Sequence, residues 1–364
     1  MTITPPFRAD HVGSLLRPSA LREARARAQA GALAAEQLRE VEDRAIRAAV
    51  AKQEALGLRA VTDGEYRRDF WHLDFLRRLE GVGLAPIAGM RFQAEDVPPM
   101  PTVTGRIRCG QPIMADDFRF LASVATAVPK LTIPAPAMLH LRGGRSAISR
   151  EHYPDLTAFW TDVAIAYRAA IEHIAAAGCT YLQLDDVSFS YLCDPKVRDG
   201  LRAAGDDPTT LPRTYAGAIN AALAGRPPGM TVTMHTCRGN FRSTWLASGG
   251  YEDAVVEAMF STDVDGYFME WDSERAGGFE PLRLLPHGKK VVLGLVTTKS
   301  GALEAKETLA RRIDEAARYV PLERLCLSPQ CGFASTHHGN TLTEDEQWRK
   351  LERVVEVARE VWGG

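Results

Sequence analysis

The chain has 364 residues, with 44 Lys and Arg against 46 Asp and Glu and a net charge of -2. Its 45% hydrophobic and 25% charged residues exclude a disordered chain, and the near-neutral balance argues against a nucleic-acid binder. No run approaches the roughly 18 apolar residues of a membrane span, the start MTITPPFRADH lacks a basic region leading into an apolar one, and six cysteines are too sparse for a disulfide scaffold, so a cytoplasmic protein with reduced thiols is expected.

Short apolar runs ending in polar or glycine-rich clusters recur along the chain. In order they are Ala9–Ser14, Arg59–Glu65, Leu131–Ala137, Tyr181–Asp186, Thr231–Cys237, Gly266–Asp272, Lys290–Thr297 and Arg324–Cys331. Runs such as TVTMH and KVVLGLV are continuous rather than alternating, as in strands buried on both faces of a parallel sheet. Between them lie helical patterns. Leu21–Leu56 is rich in Ala, Arg, Glu and Leu, with a break expected near Gly31 and a stop before Gly57. Leu156–Ala177 carries an apolar stripe through Phe159, Val163, Tyr167, Ile171 and Ile174, with Gly178 just past its end. Ala302–Tyr319 and Leu342–Val361 follow, the latter with Thr343 and Glu346 spaced as a capping box. Eight alternations of strand and helix predict an α/β fold, a (β/α)8 TIM barrel forming one domain over residues 1–364. The segment 81–117, rich in Pro and Gly and extended around Val103–Cys109, reads as an insertion, a hairpin.

Barrel enzymes work at the C-terminal ends of their strands. Here those ends supply His11, Gly13 and Ser14; Asp63 and Glu65; Asp185 and Asp186; His235 and Cys237; Glu270 and Asp272; Lys299 after the seventh strand; and Cys331. His235 and Cys237 lie two apart, so both face the same side of a strand. With Glu270 and Cys331 they offer two thiolates, an imidazole and a carboxylate, a set suited to tetrahedral Zn2+. The competing reading is a buried cysteine pair, a hydrogen-bonded histidine and a solvated acid; placement of all four at strand ends favours metal. Zinc held by two thiolates suits binding a substrate thiol as thiolate, which predicts alkyl transfer to sulfur. Glu65 and Asp185 then become candidates for an amino group and the backbone around Gly13 and Ser14 for a carboxylate; the alternative for the acids is pairing with Arg67 and Arg68. A two-carboxylate glycosidase also suits a barrel but leaves Cys237 and Cys331 without a purpose. Lys299 reads as a proton donor or anion clamp, or as a solvated lysine. Trp71, His72 and Phe75 read as packing, and His337 and His338 as a polar loop. Cys109, Cys179, Cys193 and Cys326 read as small, partly buried residues.

The segments FRADHVGSLLRP, VTDGEYRRDFW, LQLDD, MHTCRGN, FMEWDSERAG, LGLVTTKSG and LSPQCGF, taken together, resemble the catalytic half of cobalamin-independent methionine synthase, closest to its short single-barrel relatives. The resemblance runs from about Phe7 to Phe333. It implies that His235, Cys237, Glu270 and Cys331 are zinc ligands and that Val12, Gly13 and Ser14 hold a homocysteine carboxylate. Glu65 and Asp185 would hold the amino group, with Asp186 beside them in the substrate site. The implied reaction moves a methyl group from methyltetrahydrofolate or another donor to homocysteine, giving methionine, with no nucleic-acid or membrane partner.

This sequence also departs from the family pattern. These 364 residues leave no room for the full-length enzyme's second, N-terminal barrel, so a single barrel is expected. The family's Asp-Glu-Pro-Ala is Asp185-Asp186-Val187-Ser188, its acid histidine after the seventh strand is Lys299, and its pterin-side tryptophan is absent from IPAPAMLHLRGG. The thiol side is kept and the donor side is altered, which leaves open a thiol alkyltransferase acting on an epoxide and a non-catalytic zinc- or thiol-binding barrel. Assembly is open, a homodimer included.

Overall fold

The computed structural model describes residues 4–86 and 99–363. Its strands, in chain order, are β1 (Ala60–Val61), β2 (Glu80–Ala85), β3 (Met100–Arg108), β4 (Val128–Pro134), β5 (Tyr181–Asp186), β6 (Thr231–Thr236), β7 (Gly266–Glu270), β8 (Lys290–Val296) and β9 (Leu325–Pro329). Seven of them form one sheet in the order β1-β4-β5-β6-β7-β8-β9, and each neighbouring pair is parallel. The sheet curls as in a TIM barrel, with helices between successive staves. Among the described residues no helix is long and apolar enough to cross a membrane.

The first expected strand, Ala9–Ser14, does occupy the gap between β9 and β1, but it forms only an isolated bridge, Ala9 to Leu327. On one side Leu327 N–H donates to the Arg8 carbonyl at 2.8 Å and Asp10 N–H to the Leu327 carbonyl at 3.1 Å. On the other, the Thr62 hydroxyl donates to the Gly13 carbonyl at 2.6 Å. The ladder is broken because the Asp10 side chain takes the His11 N–H at 2.8 Å, a donor a regular strand would give to its neighbour. The second expected strand shrinks to Ala60–Val61, since Gly64 and Glu65 both take left-handed backbone angles, φ 66° and 59°. The third lies earlier than expected, because Pro136 starts a 3-10 turn over Pro136–Leu139.

The helical readings hold, the break near Gly31 included, except that the helix expected over Ala302–Tyr319 begins at Lys306. The first long pattern is two helices, Ser19–Gln29 and Ala35–Leu56, parted at Gly31. The helix Glu344–Trp362 is closed by the expected box: Thr343 Oγ1 accepts from Glu346 N–H and Glu346 Oε2 accepts from Thr343 N–H. The insertion forms the antiparallel hairpin β2–β3; its residues 87–98 lie outside the described residues.

Inside the barrel, at the N-terminal end of β4 and β5, sits a closed polar knot. Lys130 Nζ lies 3.1 Å from Asp10 Oδ1 and donates to the His11 carbonyl at 2.5 Å. Tyr181 OH donates to Asp10 Oδ2 at 2.8 Å, and the Phe268 ring faces the ammonium at 4.2 Å. All of these groups are buried. Removing one member of such a pair leaves a charge in low dielectric with no counter-charge. Asp10→Asn is therefore expected to cost about 3–5 kcal/mol, read as a lowered midpoint in chemical denaturation; a shift below about 1 kcal/mol would mean the pair is not what fastens the closing stave.

Candidate active site

His235 lies on β6 and Cys237 just beyond it, Glu270 ends β7, and Cys331 follows β9 by two residues. The sheet register sets His235 against Phe268 and Glu270 against Gly294, so the three stave ends finish at similar height. Gly294 is required there: a Cβ would lie 2.7 Å from Gln330 Cα and 2.8 Å from the Met269 carbonyl oxygen, both backbone. Its absence lets the end of β9 cross close beside β7.

The result is a buried cluster in which one ligand atom from each of His235, Cys237, Glu270 and Cys331 lies within 4.8 Å of every other. The two Sγ atoms are 3.5 Å apart, near the edge of roughly 3.8 Å that a tetrahedron with 2.3 Å metal–sulfur bonds would have. The buried His235 ring faces the Cys331 sulfur, and neither ring nitrogen meets a protein oxygen or nitrogen partner. The residues thus fit a metal ion, and the cluster can hold one. Glu270 is steadied from outside: Oε1 accepts from the Arg238 N–H at 3.2 Å and Oε2 from Arg275 at 3.3 Å. The hydrogen bond from Cys237 pulls the Cys331 thiol well below its usual range, favouring one thiolate before any ion binds.

Beside the cluster lies a cavity lined by Val12, Ser14, Glu65, Asp185, Asp186, His235, Cys237 and Cys331, among others. Most of the expected strand-end residues therefore do converge. Glu65 sits on the strained turn after β1, where Asp63 accepts the Glu65 N–H at 2.8 Å. Its Oε1 accepts from Thr132 at 2.8 Å with Arg68 at 3.6 Å, while buried Oε2 has no partner. Burial raises its pKa against the opposing charge of Arg68. Asp185 accepts from Gln183 at 2.7 Å, and burial pushes it up to about 7, opposed by neighbouring His235. Asp186 accepts from Ser188 Oγ and from the Phe189 N–H at 3.1 Å, at the head of a short helix, and burial raises it to about 6.

Gly13 has φ 142°, and a Cβ there would press Thr132 Cγ2 at 2.8 Å. Ser14 follows, its Oγ accepting from the Ala334 N–H at 3.3 Å. The glycine after Cys331 makes room for that hydroxyl, since a Cβ on Gly332 would stand 2.0 Å from Ser14 Oγ.

Some expected residues stand elsewhere. His11 is buried but does not line the cavity. Lys299, expected as the acid, is also outside the lining; its Nζ pairs with Asp272 Oδ2 at 3.4 Å, and Asp272 also holds Arg275 at 2.9 Å. The carboxylate two residues beyond Glu270 draws the lysine aside, although its charge still favours the ionised forms of Glu270 and Cys331. Conversely, Trp71 and His72, read as packing, line the cavity, as do Arg142, Tyr191 and Asn240. Both ring nitrogens of His72, Arg142 Nη1 and the Tyr191 hydroxyl lack hydrogen-bond partners. Burial, then the charge of Arg142, keeps His72 well below its usual pKa, hence neutral. The sequence signal for this wall was a cluster of Trp, His and Arg in the loops after two successive staves.

Residues 7–360 match the family described as cobalamin-independent synthase, catalytic domain. The uncharacterized protein YxjH of Bacillus subtilis (strain 168) is 49% identical over 362 residues, covering 98% of this chain and 95% of its own length. The 5-methyltetrahydropteroyltriglutamate–homocysteine methyltransferase of Shewanella oneidensis is 23% identical over 351 residues, 96% of this chain but 42% of that protein. Among solved structures, a Listeria monocytogenes protein described as a candidate vitamin-B12 independent methionine synthase shares 40% identity at a TM-score of 0.79, with 99% of both chains covered. A B12-independent methionine synthase from Shewanella sp. W3-18-1, solved in complex with selenomethionine, shares 21% identity and the fold, at a TM-score of 0.73 over 97% of each chain.

The approach of Gly332 to Ser14 is directly testable. Gly332→Ala is expected to cost about 1–3 kcal/mol by overpacking. Adding Ser14→Ala removes the clashing oxygen and should recover about 1 kcal/mol or more of that loss in a double-mutant cycle followed by denaturation. Strict additivity of the two changes would show that Ser14 is not the reason for the glycine.

Proposed function

The chain belongs to the cobalamin-independent synthase catalytic-domain family, and from that premise we propose that it is a zinc-dependent methyltransferase that methylates the sulfur of homocysteine to give methionine. The single observation that carries this reading is the meeting, in one cavity, of a His-Cys-Glu-Cys cluster with a buried carboxylate oxygen that has no partner. His235, Cys237, Glu270 and Cys331 would hold the zinc, which, when bound, supplies the positive charge that keeps a substrate thiol in its nucleophilic thiolate form at neutral pH.

The chain's own residues do the rest. Glu65 Oε2 and Asp185 receive the α-ammonium group; burial without that cation raises both acids, so the ligand's positive charge is what favours their ionised forms. The Val12–Ser14 segment receives the carboxylate. Holding the amino acid at both ends fixes the direction of its side chain, which is the orientational part of the rate gain. The sulfur attacks the methyl carbon in line; the carbon–sulfur bond forms as the bond from carbon to the donor's leaving atom breaks, and that atom takes up a proton, balancing the one the thiol gave up on becoming a thiolate. His72, Arg142 and Tyr191, which line the cavity without internal partners, form the wall for the donor, with methyltetrahydrofolate the first candidate. Lys299, held by Asp272, acts through its charge on the ligand cluster.

Zinc-loaded protein incubated with homocysteine and methyltetrahydrofolate is expected to form methionine. Cys331→Ser should weaken zinc retention by more than about 100-fold, since loss of even an outer partner to a ligand costs 10–100-fold, and activity should fall with it. Methionine formation by zinc-free Cys331→Ser protein would overturn the mechanism.

A further inference from the structure

Gln183, the donor to Asp185, is fully buried in the middle of β5, one layer beneath the cavity, and does not itself line it. Its Nε2 makes two short hydrogen bonds, to the Val12 carbonyl at 2.7 Å and to Asp185 Oδ1 at 2.7 Å. An amide nitrogen carries two hydrogens, so both are used. The orientation is set by chemistry, because a carbonyl and a carboxylate are both acceptors and only the nitrogen end of the amide satisfies them. Its register partner on β4 is Thr132, whose hydroxyl donates to Glu65 Oε1. One layer of the sheet therefore aims both acids of the cavity, and Gln183 also holds the Val12–Ser14 segment through the Val12 carbonyl.

We propose that Gln183 is a positioning residue that sets preference for ligands carrying an α-amino group next to a carboxylate, by locking Asp185 to the Val12 backbone. The inference rests on the reading that Asp185 receives the ammonium and Val12–Ser14 the carboxylate. In an α-amino acid these two charged groups share one carbon, so their receptors must stand at one fixed separation. Gln183 spans that separation directly, from backbone to carboxylate. It also occupies Oδ1 of Asp185, leaving the other oxygen for the ligand.

The test compares two ligands on zinc-loaded protein by isothermal titration: L-methionine, and 4-(methylthio)butanoate, which lacks only the amino group. Wild-type protein should favour methionine. Gln183→Leu should lower methionine affinity by about tenfold or more, the scale of one lost hydrogen bond to a charged group, and should change the affinity for the des-amino ligand by less than about twofold. A merely structural role would weaken both ligands alike, and that result overturns the proposal. Should Gln183→Leu not fold, as judged by thermal unfolding and zinc content, Gln183→Asn keeps an amide too short to span both partners and is expected to narrow the discrimination in the same direction. Discrimination unchanged from wild type in a folded variant overturns the role of Gln183 alone. A wild-type protein that binds the two ligands equally overturns the amine assignment, and the role of Gln183 with it.

Discussion

Everything at the mouth of this barrel depends on one electrostatic constraint: too many acidic side chains are buried together. Cys237, Cys331 and Glu270 share one cluster, and Glu65 and Asp185 line the adjoining cavity. Burying an uncompensated charge is among the most costly things a fold can do. The surroundings answer with fixed cations, Arg68 beside Glu65, Arg275 beside Glu270, and Lys299 against Asp272. These cations do not close the balance. Burial still raises Glu65, Asp185 and Glu270, and the two cysteines share a hydrogen bond. A divalent ion in the cluster and an ammonium group in the cavity are the charges that would complete it.

Local backbone structure bends to the same constraint. Glu65 keeps a left-handed conformation at φ 59°, sparsely populated for a side chain of its size. The turn is held by Asp63 on the Glu65 N–H and by Arg17, which donates to the carbonyls of Glu65, Arg68, Ala334 and Thr336. Arg17 thus ties the loop after β1 to the loop after β9, one carrying an acid of the cavity and the other following a ligand of the cluster. Gly294 and Gly332 serve the same end by subtraction. One lets two strand ends approach and the other admits the Ser14 hydroxyl, and neither tolerates a Cβ without displacement.

The sequence made the staves, the cluster and the acids legible because each rests on a local rule. Continuous β-branched runs mark buried parallel strands, an interval of two puts His235 and Cys237 on one face, and polar residues at strand ends point to the barrel mouth. What escaped depends on contacts between distant segments. The first stave satisfies its backbone through the Asp10 side chain, which no periodicity reveals. Trp71 and His72 come from a loop, where side-chain direction follows from packing against neighbouring loops and has no period. Lys299 was placed by its position after β8, but its direction is decided by Asp272, a residue from the preceding stave.

The two sides of the cavity are built on different principles, and this asymmetry bears on what the barrel can accept. The floor and the ligand cluster are charged and fixed by hydrogen bonds, from the sheet itself for Thr132 on Glu65 and Gln183 on Asp185, and from the bend just past β6 for the Arg238 N–H on Glu270. Sheet-borne groups cannot move without shifting the barrel, so the geometry offered to the first ligand is rigid. The opposite wall, with Trp71, His72 and Arg142 on loops and Tyr191 on the short helix after β5, carries polar atoms that no protein group satisfies. A neutral imidazole, a guanidinium and a phenol hydroxyl offer donors mainly, so that wall is complementary to a partner rich in acceptors. Under the proposed reading, a rigid acidic half grips the amino acid while a looser, donor-rich half meets the methyl donor. Substitutions that exchange one donor molecule for another are then expected in the loops after β1 and β4 and in the short helix after β5, leaving the sheet, the cluster and the thiol site intact.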